Sequence, residues 1–328
     1  MGKVSEEKPL LYHYTNAAGL TGIITSQKIY ATSIAYLNDA EEQIGYLKRR
    51  LPVLLSQWTL DALKSQLATT PHSVECSEEE IRERAADISQ RLHSGIMELS
   101  LELDDPYIAS FSAPPRTDPN DGLLSQWRGY GQDGGYAIVF ETTGIESLLE
   151  LESKAFHHQT LLLCDVDYHY DGSSEHGTPL PETLEDEHKV QDAIRQFVVS
   201  GARELLEQMY QPLVQLSIRS KHRGFQEESE VRIAALRSVP RVWREEKRDG
   251  EARPQKELFF RPRSGLLIPY VKLFGTSNLG RNAVLPIRKV IVGPHPDKTK
   301  RRESVERLLQ QHGIAADVIE SSIPYLGY

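Results

Sequence analysis

The sequence predicts an α+β fold in a single domain, a mixed β-sheet with a helical insertion after its first strand-helix-strand unit. Three observations carry this. Short β-rich segments open the chain and dominate its last third, charged helical stretches separate them, and the chain closes in a strand-helix-strand order. The boundaries read as 10–40 for the opening unit, 41–104 for the helical insertion and 106–328 for the main sheet with a helix over 184–219.

Taken in order, Leu11–Thr15 is extended, and Ala17–Ser26 carries Leu20, Ile23 and Ile24 at helical spacing. Ile29–Ile34 is rich in β-formers. Asn38-Asp39 caps the next helix, and Glu42, three residues after Asp39, completes a capping box. Helical sequence then runs to about Leu103 with an interruption near Thr69–Pro71. Pro106–Phe111 and Gly135–Glu141 are strands, the second entered through the turn Asp133-Gly134-Gly135. Leu161–Tyr168 is a further strand, and Leu184–Arg219 a helix broken only by Pro212. Glu230–Leu236, Lys256–Arg261 and Leu266–Leu273 are strands, the first two joined by a charged loop around Arg241–Arg253. The strand Arg288–Val292, the helix Lys300–Gln311 and the strand Ala316–Glu320 form the ending, which suits a parallel pair.

Composition narrows the function. The 328 residues are 39% hydrophobic and 26% charged, as in soluble globular proteins. A net charge of -9 gives no overall attraction to nucleic acid or an anionic membrane, so either partner would need a local basic patch. Two cysteines, Cys76 and Cys164, exclude a disulfide framework and fit a reducing cytoplasm. The leader has no apolar core, and no apolar run approaches the roughly 20 residues that cross a bilayer. No histidine pair offers a metal-ligand set on a rigid element, the His169/His176 loop included, and neither cysteine has a nucleophile motif.

Three stretches can carry chemistry. In Leu10-Leu-Tyr-His-Tyr-Thr15, His13 and Thr15 share one strand face and can grip one ligand, although a strand histidine also serves simply as a hydrogen-bonded core residue. In Lys221-His-Arg-Gly-Phe-Gln-Glu-Glu-Ser-Glu-Val-Arg-Ile233, Glu228, Glu230 and Arg232 alternate onto one face. Neighbouring carboxylates repel unless a cation lies near, either Arg232 or a substrate that develops positive charge; an exposed, ion-paired sheet face is the alternative. Lys221, His222 and Arg223 either hold a phosphate or end the preceding helix favourably. Ser125-Gln-Trp-Arg-Gly-Tyr-Gly131 offers Trp127, Arg128 and Tyr130 as a pocket wall, or packs an aromatic helix end on the sheet. Its glycines do not make a dinucleotide fingerprint.

Together, Tyr12-His-Tyr-Thr15, Leu37-Asn-Asp39, Phe111-Ser112, Gln126-Trp127 through Tyr130, Gly134-Gly135, Phe225–Arg232 and Ile323-Pro-Tyr325 resemble the bacterial family known only as domain of unknown function 2971. More distantly, an early His-x-Thr strand, a helix, a second strand bearing Tyr or Ser, and a late strand bearing Glu are similar to the order in ADP-ribosyltransferases. That resemblance implies NAD as substrate. It implies that His13 holds a ribose, that Tyr30 (with Tyr36 as the alternative) packs on the nicotinamide, and that Glu230 stabilises an oxocarbenium-like transition state. Glu228 would then position an acceptor, protein or nucleic acid. The Ser-Thr-Ser-like element of such enzymes is represented here only by Thr32-Ser33. With NAD bound, Thr15, Arg232 and the Trp127, Arg128 and Tyr130 wall would complete the pocket, and His13 and Glu230 should line one cleft. The role implied is a bacterial toxin or anti-phage effector. Two rival functions remain: a metal-dependent nuclease or phosphodiesterase on Glu228 and Glu230, with Asp165 and Asp167 as further acids, and a non-catalytic module that binds a nucleotide-like ligand.

Overall fold

A computed structural model describes residues 3–37, 45–69, 76–102, 104–113, 120–131, 134–168, 178–202, 204–238, 253–280 and 283–324. In chain order these form α1 (Val4–Glu7), β1 (Leu10–Thr15), α2 (Ala17–Ser26), β2 (Lys28–Ser33), α3 (Leu51–Thr69) and α4 (Glu78–Glu102). Next come β3 (Tyr107–Ser112), α5 (Leu124–Tyr130), β4 (Tyr136–Glu141), α6 (Thr142–Ala155), β5 (Thr160–Asp165), α7 (Pro181–Ser200), α8 (Glu204–Gln208) and α9 (Tyr210–Arg219). The rest are β6 (Glu230–Leu236), β7 (Leu258–Arg263), β8 (Leu266–Phe274), α10 (Thr276–Leu279), β9 (Ile287–Val292), α11 (Lys298–Gln311) and β10 (Asp317–Glu320). The α+β class and the mixed sheet are those the sequence predicts. None of the described helices is long and apolar enough to cross a membrane.

Two compact units emerge: Met1–Tyr36, Asp105–Val166 and Gly224–Tyr328 form one, Leu37–Asp104 and Asp167–Arg223 the other. The first carries a sheet in the order β10-β9-β4-β1-β3-β2-β8-β7, with β6 also on β3 and β5 beyond it. Only the β9–β10 pairing is parallel among the described ladders, as the strand-helix-strand ending requires. One face buries Leu11, Ala31, Phe140, Val231, Ile233, Val271 and Val290 in a single core with Ile24 of α2, Ile145 of α6 and Leu309 of α11. On the other face, Tyr12, Tyr14, Ala137, Val139 and Ile291 pack with Trp127 of α5.

The centre of this sheet forks. Strand β3 gives one edge to β6 along all of Tyr107–Ser112. Its other edge is shared: β1 meets it at Tyr12↔Ser112, and β2 at Thr32↔Ile108 and Ser33↔Tyr107. Between those contacts, Ala109, Ser110 and Phe111 have no strand partner on that edge among the described ladders.

Helix α2 starts on the Asn16 side chain, which accepts the Gly19 N–H at 2.9 Å, and stops at Gln27 in the left-handed region. The β7–β8 hairpin turns on Ser264 (φ 50) and Gly265 (φ 81), the two positive angles of a type I′ turn. Helix α6 is not anticipated by the sequence reading, and it carries a fully buried carboxylate, Glu152. Lys256 Nζ lies 2.6 Å from Glu152 Oε1 and His158 Nε2 lies 3.5 Å away, while Oε2 accepts the Phe274 N–H at 3.0 Å. Burial pushes the Lys256 ammonium below its ordinary pKa, and Glu152 opposes that shift.

The second unit is helical among its described residues, with a core of Leu51, Leu55, Trp58, Leu92, Val190, Ile194 and Leu216. Here the expected helix 184–219 is corrected to three helices. The first stops at Gly201, a C-cap with φ 69, whereas Pro212 falls in the first turn of α9, where a missing N–H costs nothing. Strand β5 likewise ends at Asp165 rather than Tyr168. The Asn38-Asp39/Glu42 capping box, Asp133, the His169/His176 loop, Tyr325 and nearly all of the 241–253 loop lie outside the described residues.

Candidate functional site

His13 stands at the fork. Its Nδ1 is 3.0 Å from the Ser110 carbonyl oxygen, and its ring centroid is 5.7 Å from that of Phe111. Burial lowers the imidazole pKa from its ordinary 6.5, the Ser110 hydrogen bond opposes this, and the Arg261 charge adds to the lowering. The ring is therefore neutral at physiological pH. A carbonyl can only accept, so the proton must sit on Nδ1, which leaves Nε2 as a lone-pair acceptor with no hydrogen bond to the described residues. A depressed folded pKa means that the unfolded chain takes up the proton first as pH falls below 6.5. His13 thus withdraws stability below 6.5 and is silent above it. His13→Asn should lose less stability than wild type between about pH 7.5 and about pH 5.5 in urea titrations. Equal losses would show that His13 is not held neutral.

Across the fork, β2 and the β7–β8 hairpin supply the neighbours. Tyr30 is 36% exposed and stacks on Tyr270 at a centroid distance of 4.8 Å, and Arg261 donates to the Thr32 hydroxyl at 3.0 Å. Burial and the neighbouring Arg263 lower the Arg261 pKa. Arg263 donates to the Tyr36 carbonyl, which fixes Tyr36, itself half-buried, at the end of a 3₁₀ turn. The sequence reading missed Arg261, Arg263 and Tyr270; the alternation Phe259, Arg261, Arg263 on β7 was the available signal.

The acidic stretch folds differently from expectation. Glu228 is not on the strand: it ends the 3₁₀ turn Arg223–Glu228, and Ser229 (φ 44) turns the chain before β6. Its backbone carbonyl accepts from the Ser112 hydroxyl at 2.5 Å. Only Glu230 and Arg232 share a face, and they form a buried two-pronged pair, Nε–Oε1 2.8 Å and Nη2–Oε2 3.1 Å. Arg232 is fully buried and Glu230 is 3% exposed, so the solvated-face alternative does not apply. Ser112↔Glu230 and Tyr12↔Ser112 put Glu230 on the Tyr12 side of the pleat, whereas His13 alternates to the other. The expected shared cleft is therefore not formed by simple strand alternation. What links the two residues is β3: Ser110 bonds His13 and pairs in register with Arg232, which grips Glu230.

Trp127 is corrected from pocket wall to core. It is 2% exposed, meets Tyr14 edge-on at 4.8 Å and donates its indole N–H to the Asp121 carbonyl at 2.9 Å. Arg128 and Tyr130 sit on the exposed side of α5. Thr15 lies over the first turn of α2, where only a glycine fits: a Cβ at Gly19 would meet its hydroxyl at 2.0 Å. Of the acids invoked for metal chemistry, Asp165 pairs with Lys8 at 2.7 Å and Asp167 accepts the Leu180 N–H at 2.9 Å. The described residues contain no group of three or more His, Cys, Asp or Glu placed to hold a metal ion.

The first unit is thus an α+β domain whose forked mixed sheet presents a neutral histidine between two strands. Residues 126–233, from α5 through most of β6, match the family described as protein of unknown function (DUF2971), so the resemblance seen in the sequence holds over that segment. No curated protein matches the chain, and no solved structure does.

Proposed function

We propose that the first unit takes NAD at the fork and transfers its ADP-ribose, in the manner of an ADP-ribosyltransferase. The observation that carries this reading is the 3.0 Å contact of His13 Nδ1 with the Ser110 carbonyl: with Nδ1 committed there, Nε2 is offered to a ribose hydroxyl. Tyr30, 36% exposed on the Glu230 side of the pleat, would supply a flat surface for the nicotinamide, and Arg261, whose charge reaches His13, would supply charge for the pyrophosphate. Glu230 would face the positive charge that develops on the ribose as nicotinamide leaves, with Arg232 fixing its orientation and Glu228 near the acceptor. A toxin or anti-phage role belongs to the same proposal.

One observation favours the rival binding module. The Glu230 carboxylate is already held by buried Arg232, on the pleat side away from His13. Melting curves test the shared claim of both readings: NAD should raise the melting temperature of wild type by mass action, and His13→Ala should shrink that rise. Stabilisation by Mg²⁺ and not by NAD would discard both in favour of the phosphodiesterase. Nicotinamide release then separates enzyme from module.

A further inference from the structure

We propose that the sheet face formed by β2, β8 and β7 binds single-stranded nucleic acid, a capacity that does not depend on NAD turnover. Three rings cross these strands as a ladder. Tyr30 and Tyr270 lie 4.8 Å apart with planes at 28°, and Tyr270 and Phe259 lie 5.7 Å apart at 31°. Each ring carries a cation. Lys272 Nζ is 3.8 Å from the Phe259 centroid and 5.7 Å from that of Tyr30, and the Arg261 guanidinium is 5.8 Å from that of Tyr270.

Register puts these groups on one face: Thr32 opposite Tyr270, Tyr30 opposite Lys272, Phe259 opposite Tyr270, and Arg263, two residues beyond Arg261, on the same side. The charged residues of β7 and β8 on this face are Arg261, Arg263 and Lys272, all basic; Glu257 precedes the strand. A chain of net charge -9 therefore carries here the local basic patch that a polyanion requires. The rings decide which polyanion. Bases stack on aromatic side chains while phosphates meet the flanking cations, and only unpaired bases expose their faces. The ladder offers them Tyr30, 36% exposed, and half-buried Phe259, with the buried Tyr270 as the rung between. An acidic peptide would use the cations and leave the ladder idle.

The test is fluorescence anisotropy with a labelled oligothymidylate of about 12 nucleotides, against its duplex with oligoadenylate and against polyglutamate. The single strand should bind more tightly than either competitor, and more weakly as salt rises. Phe259→Leu should weaken that binding roughly tenfold, one lost base stack. Arg263→Glu, at the exposed end of β7 where the arginine also donates to the Tyr36 carbonyl, should weaken it and flatten the salt dependence, with the circular dichroism spectrum unchanged. Equal binding of duplex or polyglutamate would overturn the proposal, as would wild-type affinity in both variants. The ladder shares Tyr30 and Arg261 with the proposed NAD site, but Phe259 and Arg263 lie outside it, so the NAD-dependent rise in melting temperature should persist in both variants and failure here is distinct from failure of the NAD reading.

Discussion

Glu152→Ala should destabilise the first unit by about 3–5 kcal/mol, the range for removing one partner of a buried ion pair. Glu152 is wholly buried, and three groups lean on it: Lys256, His158 and the Phe274 N–H. Phe274 has φ 67, a left-handed backbone that a bulky residue adopts only when something holds it there. The variant strands the Lys256 ammonium in the core and releases Phe274 together. A lysine whose folded pKa is depressed favours unfolding below 10.5, because the unfolded chain binds the proton more readily. Loss of Glu152 deepens that depression, so the deficit should be largest near neutral pH and shrink as pH rises toward 10.5. Urea unfolding followed by a probe in the first unit, at neutral and alkaline pH, measures both effects. A variant that unfolds at the wild-type urea concentration would show the pair to be dispensable. Replacing both charges, as Glu152→Leu with Lys256→Met, should recover much of the loss.

Glu230→Gln has two expected effects that separate the functional readings. If Glu230 stabilises an oxocarbenium, nicotinamide release should fall by roughly two orders of magnitude or more, as for other preorganised electrostatic groups. The change also weakens a buried, charge-assisted contact with Arg232, so about 1–3 kcal/mol of stability should go with it. Rates must therefore be compared well below both melting temperatures. In the binding-module reading the stability falls while NAD affinity stays as in wild type and no nicotinamide appears from either protein. Turnover retained in the variant would remove Glu230 from the chemistry. His13→Ala should behave differently, weakening NAD binding more than it slows any release, since a ribose contact is made in ground and transition states alike.

The elements that local chemistry dictates were the legible ones. Helix α2 has a capping Asn16 and three apolar residues at helical spacing, and its bounds fall where the sequence puts them; so do those of β6, where apolar residues surround Arg232. Glu228 was misplaced because alternation looks the same on paper whether or not the chain turns, and nothing about a serine announces a positive φ at Ser229. Trp127 shows the limit for aromatics, since an indole in a pocket wall and one packed on Tyr14 come from the same residue types. The candidate site was half readable. His13 and Tyr30 stand out locally, but Arg261 reaches Thr32 from 229 residues away, and such a partner follows only from strand pairing. Fork and ladder alike are products of β3 and β8 neighbours, which no short-range pattern specifies.

The interleaving of the two units has a consequence for synthesis on the ribosome. The helical unit is complete in sequence once Arg223 has been made, whereas the sheet unit at that moment lacks β6 to β10. Translation at about 5–20 residues per second leaves β1 to β5 waiting roughly 5–20 s for residues 224–328. During that interval β3 and β5 have no β6, β4 has no β9 and β2 has no β8, so four strands of the nascent sheet stand with open edges. Nascent chains of this protein should therefore be most prone to aggregate, and most in need of a chaperone, when the helical unit has already folded.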